Sequence, residues 1–268
     1  MRLETTLVDV IQRALKFNVD FFQCFLTLKT AGRVVPLNSS DIKEFIELRR
    51  QYFKEIYLHV SYWVNPSTIE YNPHRLLKRE LLLARKLEFT HVIFHPGSAK
   101  GAHNVQEGID ALAAMLNKLI KKEPSFIFVL ENVAQKYPSI GGDINHFSLL
   151  LEKLENADRV RFCIDTAHAF SFGYNIVDDN AQDKFIELLD QKIGLDKICL
   201  IHLNDNEEDL GSHVDRHQVI GEGKIGLEPL KRFVMHPKLK HIPILSEPPI
   251  MSEEDLEAEF KKIVGWHK

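Results

Sequence analysis

HVIFHPGSAKGAHNVQEGIDALAAMLNKLIKKEPSFIFVLE, residues 91–131, contains one complete repeat of the fold. Its first apolar run (91–95) and its last (126–131) are rich in Val, Ile, Phe and Leu, the composition of parallel strands buried on both faces. Between them, residues 105–122 repeat apolar side chains at helical spacing. A strand, a helix and their two loops need at least about 30 residues, so the stretch has the length of one βα unit. Both runs end on a side chain able to bind a metal, His95 and Glu131.

The same beat continues in both directions. His59 closes IYLH, Asp165 closes RFCID and His202 closes CLIH, so the intervals from His59 to His202 are 36, 36, 34 and 37 residues. In a closed (β/α) barrel the downstream strand ends converge on one face, where active sites of that fold lie. Further strand-like runs at 19–25 and 242–247 bring the strands to seven. Helical patterns occupy about 5–17, 41–53, 73–88, 105–122, 143–155, 180–193, 226–235 and 253–264, with start signals at Ser40-Asp41 with Glu44, Asn72-Pro73, and Ser252 with Asp255. The expected architecture is a TIM (β/α)8-type barrel forming a single domain over 1–268. Its first strand is short or missing, because residues 2–4 supply only a stub before the first helix.

Composition agrees with one large core: 268 residues, 44% hydrophobic. No apolar run reaches membrane-spanning length, and the N-terminus lacks the apolar core of a signal peptide, so the expectation is a cytoplasmic protein without membrane contact. Cys24, Cys163 and Cys199 sit inside apolar runs and read as buried thiols. A net charge of −4 argues against a nucleic-acid partner unless metal is bound; three divalent cations would carry the net charge to about +2. The basic clusters at 76–86 and at Lys118, Lys121 and Lys122 lie on helical patterns and read as solvated faces.

A lone strand-end histidine is more often structure than ligand. Five strand ends that each finish in His, Glu or Asp are a different matter, since hydrophobic runs have no other reason to share that feature. CIDTAHAFSFGYN (163–175) adds His168 three residues after Asp165, with an Asp helix cap and an incidental His as the alternative. Asp215 and His217 flank Arg216, and in extended backbone residues two apart face the same side, so the pair can chelate one ion while Arg216 points away. A charged solvated loop is the alternative there, and it suits His213 and the acidic residues 207–209.

HVSYW (59–63), HPGS (95–98), LENVA (130–134), DTAHAFSFGY (165–174), HLND (202–205) and DRHQVIGEGKIG (215–226) together resemble the ordered motif set of the endonuclease IV family, zinc-dependent apurinic/apyrimidinic endonucleases of base-excision repair. The resemblance runs from about residue 50 to 250. It implies a TIM barrel with three Zn2+ per chain, Mn2+ being an alternative at one site. It would give one zinc to His59 and His95, with Glu131 bridging to a second. Asp165, His202 and a C-terminal Glu would complete the second, and His168, Asp215 and His217 the third. The family's Leu-Glu-Thr-Pro is here Leu245-Ser246-Glu247-Pro248-Pro249, so an ungapped match puts Ser246 in the ligand position; we assign Glu247, with an irregular strand end absorbing the shift.

The resemblance further implies catalytic roles for Glu131 and Glu247, a monomer, and double-stranded DNA with abasic sites as partner, nicked 5′ to the lesion to leave a 3′-hydroxyl. Tyr62 matches a residue that reaches into DNA. Arg33, in TLKTAGRVV (27–35), stands where the family has a DNA-penetrating loop, and Lys100 after HPGS could meet a phosphate. Four carboxylates against three divalent ions leave roughly +2 to attract a phosphodiester. The runner-up functions are a sugar isomerase or epimerase on the related xylose-isomerase-like barrel, and a non-catalytic DNA- or metal-binding barrel.

Overall fold

A computed structural model of the protein describes residues 6–28, 33–34, 38–70 and 74–267. In chain order the elements are α1 (Leu7–Lys16), β1 (Phe21–Phe25), β2 (Thr27–Leu28), β3 (Arg33–Val34), α2 (Ser39–Tyr52), β4 (Glu55–His59), α3 (Arg75–Lys86), β5 (His91–Phe94), α4 (Val105–Lys122) and β6 (Ile127–Glu131). They continue with α5 (Asn145–Leu151), β7 (Val160–Asp165), α6 (Thr166–Phe172), α7 (Asp179–Ile193), β8 (Ile198–His202), β9 (Asp205–Asn206), β10 (His217–Gln218), α8 (Leu227–Met235), β11 (Ile244–Leu245) and α9 (Glu253–Val264). Seven strands form one all-parallel sheet in the order β1-β4-β5-β6-β7-β8-β11, each joined to the next through at least one helix. This is the near-closed TIM barrel expected from the repeat.

Strand periodicity explains how the barrel makes a site. Alternate residues of each strand face the interior, where Tyr57, Ile93, Val129, Cys163 and Leu200 form a buried cluster packed by Phe21 and Leu245. Two residues further along each strand, on the same face, stand Gln23, His59, His95, Glu131, Asp165, His202 and Glu247. Seven strands therefore carry seven inward polar groups in one layer above an apolar plug. The outward-facing residues, such as Phe128, Leu130 and Phe162, join the larger core between sheet and helices.

The stub at residues 2–4 lies outside the described residues. Between β1 and β11 the seam is bridged by side chains at the site layer: Gln23 Nε2 donates to Glu247 Oε1 at 2.6 Å. Two helix starts differ from expectation or fall outside the description. Asn38, not Ser40, caps α2 by accepting from Asp41 N at 2.8 Å, while Ser40 already lies in the first turn and donates back to Asn38 at 2.6 Å. Asn72-Pro73 lies outside the described residues; Ser252 caps α9 as expected. The helical patterns of the sequence also omit α6, which follows β7 without a loop and is only seven residues long. Among the described residues no helix is long and apolar enough to cross a membrane.

Candidate metal centre

The five strand-end residues and the four found beyond them converge at the barrel mouth. Three overlapping groups hold their donor atoms within 4.8 Å of one another: His59, His95 and Glu131; Glu131, Asp165, His202 and Glu247; Asp165, His168 and His217. Asp215 joins the third, with Oδ2 3.3 Å from His168 Nε2 and Oδ1 3.3 Å from His217 Nε2. Glu131 belongs to two groups, and four imidazoles address it: His59 and His95 at 3.0 and 3.5 Å from Oε2, His168 and His202 at 3.3 and 3.0 Å from Oε1.

The outer hydrogen bonds decide which imidazole nitrogen faces the centre. His59 Nδ1 lies 2.9 Å from Val60 O, His168 Nδ1 2.8 Å from Asn132 O, and His217 Nδ1 3.0 Å from Glu247 O. His202 is turned the other way, with Nε2 2.8 Å from Gln23 Oε1. A carbonyl oxygen can only accept, so in each ring the outer nitrogen carries a hydrogen, and the inner one is aimed at carboxylates, where it either carries a second proton or offers its lone pair to a cation. Lone pair against carboxylate is repulsive unless a cation lies between them. His217 Nε2 is the sharpest case, buried with no hydrogen-bond partner and 3.5 Å from Asp165 Oδ2. Imidazole and carboxylate donors oriented by carbonyl contacts are the ligands and the surrounding shell that zinc accepts, so the residues present fit divalent cations.

The supporting residues are mostly invisible in sequence. Asn132 fixes Asp165 from both directions, donating to its carbonyl at 3.1 Å and accepting from its N–H at 2.7 Å. Asn204 donates to Asp165 Oδ2 at 2.6 Å and accepts from Glu247 N at 2.7 Å. Both sit inside quoted motifs, next to or near a candidate ligand, but nothing local tells an Asn that holds a ligand from one facing solvent. Gln23 does carry a signal, as a lone polar residue at an inward position of an apolar run. Asp165 serves twice: Oδ1 caps α6 by accepting from His168 N at 2.8 Å while Oδ2 faces the cluster, so the cap and the ligand arrangement are both present.

The segment carrying Asp215 and His217 is folded around another buried carboxylate. Asp205 accepts from the N–H groups of Gly221, Gly223, Ile225 and Gly226 at 2.9 to 3.3 Å, and β9 pairs with β10 so that His217 lies opposite Asn206. A Cβ on Gly223 would stand 2.4 Å from Asp205 Oδ1, so only glycine fits there. Arg216 points away as expected, paired with Glu207 and Glu208.

Glu247 occupies the inward position and its Oε2 lies 3.2 Å from His202 Nδ1; Ser246 faces outward and donates to Glu259. Tyr62 is 57% exposed over the mouth, its ring 5.7 Å from that of His59 and 5.4 Å from that of His95. Trp63 beside it, for which the sequence suggests no role, is 75% exposed. Lys100 is exposed and paired with Glu70 at 3.2 Å. Arg33 lies on β3, and most of the loop around it is outside the described residues.

Electrostatics link metal uptake to protons. Burial opposes charge on His168, but Asp165, Asp215 and Glu131 outweigh it and raise its pKa well above the ordinary imidazole range. For His202 burial is again outweighed, here by the Glu247 and Glu131 carboxylates, which raise its pKa well above the ordinary imidazole range. In the metal-free protein these two protons stabilise the fold fully below the unfolded imidazole pKa of about 6.5, and that contribution is lost as pH rises through the raised values. A divalent cation bound by these rings at pH 7 would expel them, so calorimetry of zinc titration in buffers of different ionisation enthalpy should register proton release. Identical heats in all buffers would contradict protonated histidines in the metal-free site.

A family model described as a xylose isomerase-like TIM barrel matches residues 11–268. A probable endonuclease 4 of Clostridium beijerinckii is 35% identical over 243 residues, covering 89% of this chain and 87% of the relative. The crystal structure of endonuclease IV from Thermus thermophilus superposes with a TM-score of 0.84 at 26% identity, over 100% of this chain and 97% of that one. A D-tagatose 3-epimerase-like protein shares the fold alone, with a TM-score of 0.68 at 20% identity, over 98% of this chain and 96% of that one. At one third identity over nearly nine-tenths of its length, the chain belongs to the endonuclease IV family of xylose isomerase-like TIM barrels.

Proposed function

We propose that this protein is a metal-dependent endonuclease of DNA repair that hydrolyses the phosphodiester 5′ to an abasic site in duplex DNA, leaving a 3′-hydroxyl. The observation that carries the reading is the third donor group, His168, His217 and Asp215 around Asp165, beside the two groups that share Glu131. Three divalent ions, zinc by the donor set, would be held by His59, His95 and Glu131; by Glu131, Asp165, His202 and Glu247; and by His168, Asp215 and His217. Bound there, they would supply Lewis acidity and bring the pKa of water toward about 7. The chain's own residues do the rest. Four carboxylates leave the loaded cluster net positive, which favours a phosphodiester and the charge that develops as phosphorus is attacked. The outer imidazole hydrogen bonds keep the donors aimed without reorganisation. Tyr62, ringed by Phe25, His59 and His95, would offer its exposed aromatic face to DNA at the mouth.

The sugar isomerase alternative needs one or two metals and leaves His168, Asp215 and His217 without a task. Metal content and incision decide together. The purified protein should hold about three zinc ions per chain, and an abasic-analogue duplex should be nicked at one position, with all activity lost to a chelator and recovered with zinc. One ion per chain, or incision that survives demetallation, would overturn the reading.

A further inference from the structure

Glu259 lies on α9, outside the barrel, and is 3% exposed. Among the described residues its carboxylate oxygens bond to no candidate ligand. Its Oε1 accepts from Ser246 Oγ at 2.9 Å, and its Oε2 accepts from the backbone N–H of Ile220 at 3.1 Å. Ser246 immediately precedes Glu247, and Ile220 follows His217 by three residues. One buried carboxylate therefore grips two segments that each carry an inward donor. Lys262, on the same helix, donates to Ile220 O at 3.2 Å, so the Ile220 residue is held at both its N–H and its carbonyl.

The grip on Ser246 has a geometric consequence. Neighbouring side chains of extended backbone face opposite ways, so fixing Ser246 outward against α9 fixes Glu247 inward above Leu245. Glu247 then serves both adjoining groups. Its side chain meets His202 and Gln23, and its carbonyl accepts from His217 Nδ1, which leaves His217 Nε2 aimed at the centre. β11 is only two residues long, so strand pairing alone gives this segment little to define its register.

We infer that Glu259 is a positioning residue for the metal cluster, setting the inward orientation of Glu247 and the seat of His217 from the far side of the barrel wall. This rests on the reading that the cluster holds metal. The position requires two hydrogen-bonding oxygens or their equivalent, not a charge. A serine hydroxyl can accept as well as donate, so glutamine could accept from Ile220 N–H through its carbonyl and donate to Ser246 through its amide. Alanine can do neither.

The test is titration of the full-length, metal-stripped protein with zinc against a chromophoric chelator, well below the unfolding temperature. Glu259→Ala should weaken the ions served by Glu247 and His217 by about 10- to 100-fold, the cost of losing a group that orients ligands, and leave the His59, His95 and Glu131 ion in place. Glu259→Gln should retain wild-type affinity. Ile263→Ala, which removes a buried apolar contact from the same helix, should lower the melting temperature without changing zinc affinity. Wild-type zinc binding by Glu259→Ala, or an equal loss in Ile263→Ala, overturns the inference. Should Glu259→Ala not fold, Ser246→Ala decides: weakened binding supports the positioning role and unchanged binding refutes it. A wild-type protein that takes up no zinc removes the metal centre and this inference with it, whereas normal wild-type uptake with unaffected variants removes this inference alone.

Discussion

Glu131→Gln should lower single-turnover incision of an abasic duplex by at least about 10^4-fold, a larger loss than the 10^2 to 10^3 typical of removing one charge-stabilising contact. The residue is fully buried, belongs to two of the three donor groups, and faces four imidazoles. Burial pushes its pKa up, but His202, His95 and His168 outweigh burial and hold it well below the usual carboxylate range. The substitution keeps shape and one acceptor while deleting the charge that two ions would share under the proposed reading, so zinc content should fall by about two equivalents. In the metal-free protein the stability contributed by ionised Glu131 is present above its unfolded pKa of about 4.3 and is lost as pH falls through its lower folded value. The variant should lack that acid-side dependence. Incision within tenfold of wild type would remove Glu131 from its bridging role.

His217→Ala should cost about 10^3-fold in kcat with the fold preserved and zinc reduced by one equivalent. Its Nδ1 is anchored to Glu247 O, and its Nε2 faces the carboxylates of Asp215 and Asp165 without making a hydrogen bond among the described residues, so what the substitution mainly removes is a donor aimed at the centre. Circular dichroism and melting of the metal-free forms should match wild type. KM for DNA should move far less than kcat, because an ion held by His168, Asp215 and His217 would act on charge that appears as the bond breaks more than on ground-state binding. Full activity with three zinc ions still bound would rule out His217 as a ligand of the third ion.

The barrel is legible because a βα repeat writes itself as a length and a composition, and because strand parity is a local property. Leu200 inward implies His202 inward, and Val129 inward implies Glu131 inward, whatever the rest of the chain does. The same logic applied to FFQCF finds Gln23, which a search for metal-binding side chains passes over. Residues whose role depends on a partner far away are not legible. Asn132 and Asn204 hold Asp165 across strand boundaries, Asp205 gathers amides from sixteen or more residues on, and Glu259 reaches Ile220 across 39 residues. The helix α6 escapes detection because seven residues with a cap shared by a strand end leave no start signal of their own.

Spacing and parity, which are set residue by residue, were enough to establish a parallel (β/α) barrel with His, Asp and Glu at its strand ends. The choice between Ser246 and Glu247 had to wait for the folded chain, because β11 is too short to fix its own register and α9 does so from outside. Which nitrogen of His168, His202 and His217 faces the centre is likewise a tertiary matter, since it depends on oxygens brought in from 30 or more residues away, whereas His59 uses the carbonyl of its neighbour Val60. So is the bridge across the seam between the first and last strands, made by Gln23 and Glu247, two residues 224 positions apart that only the closure of the barrel brings within 2.6 Å.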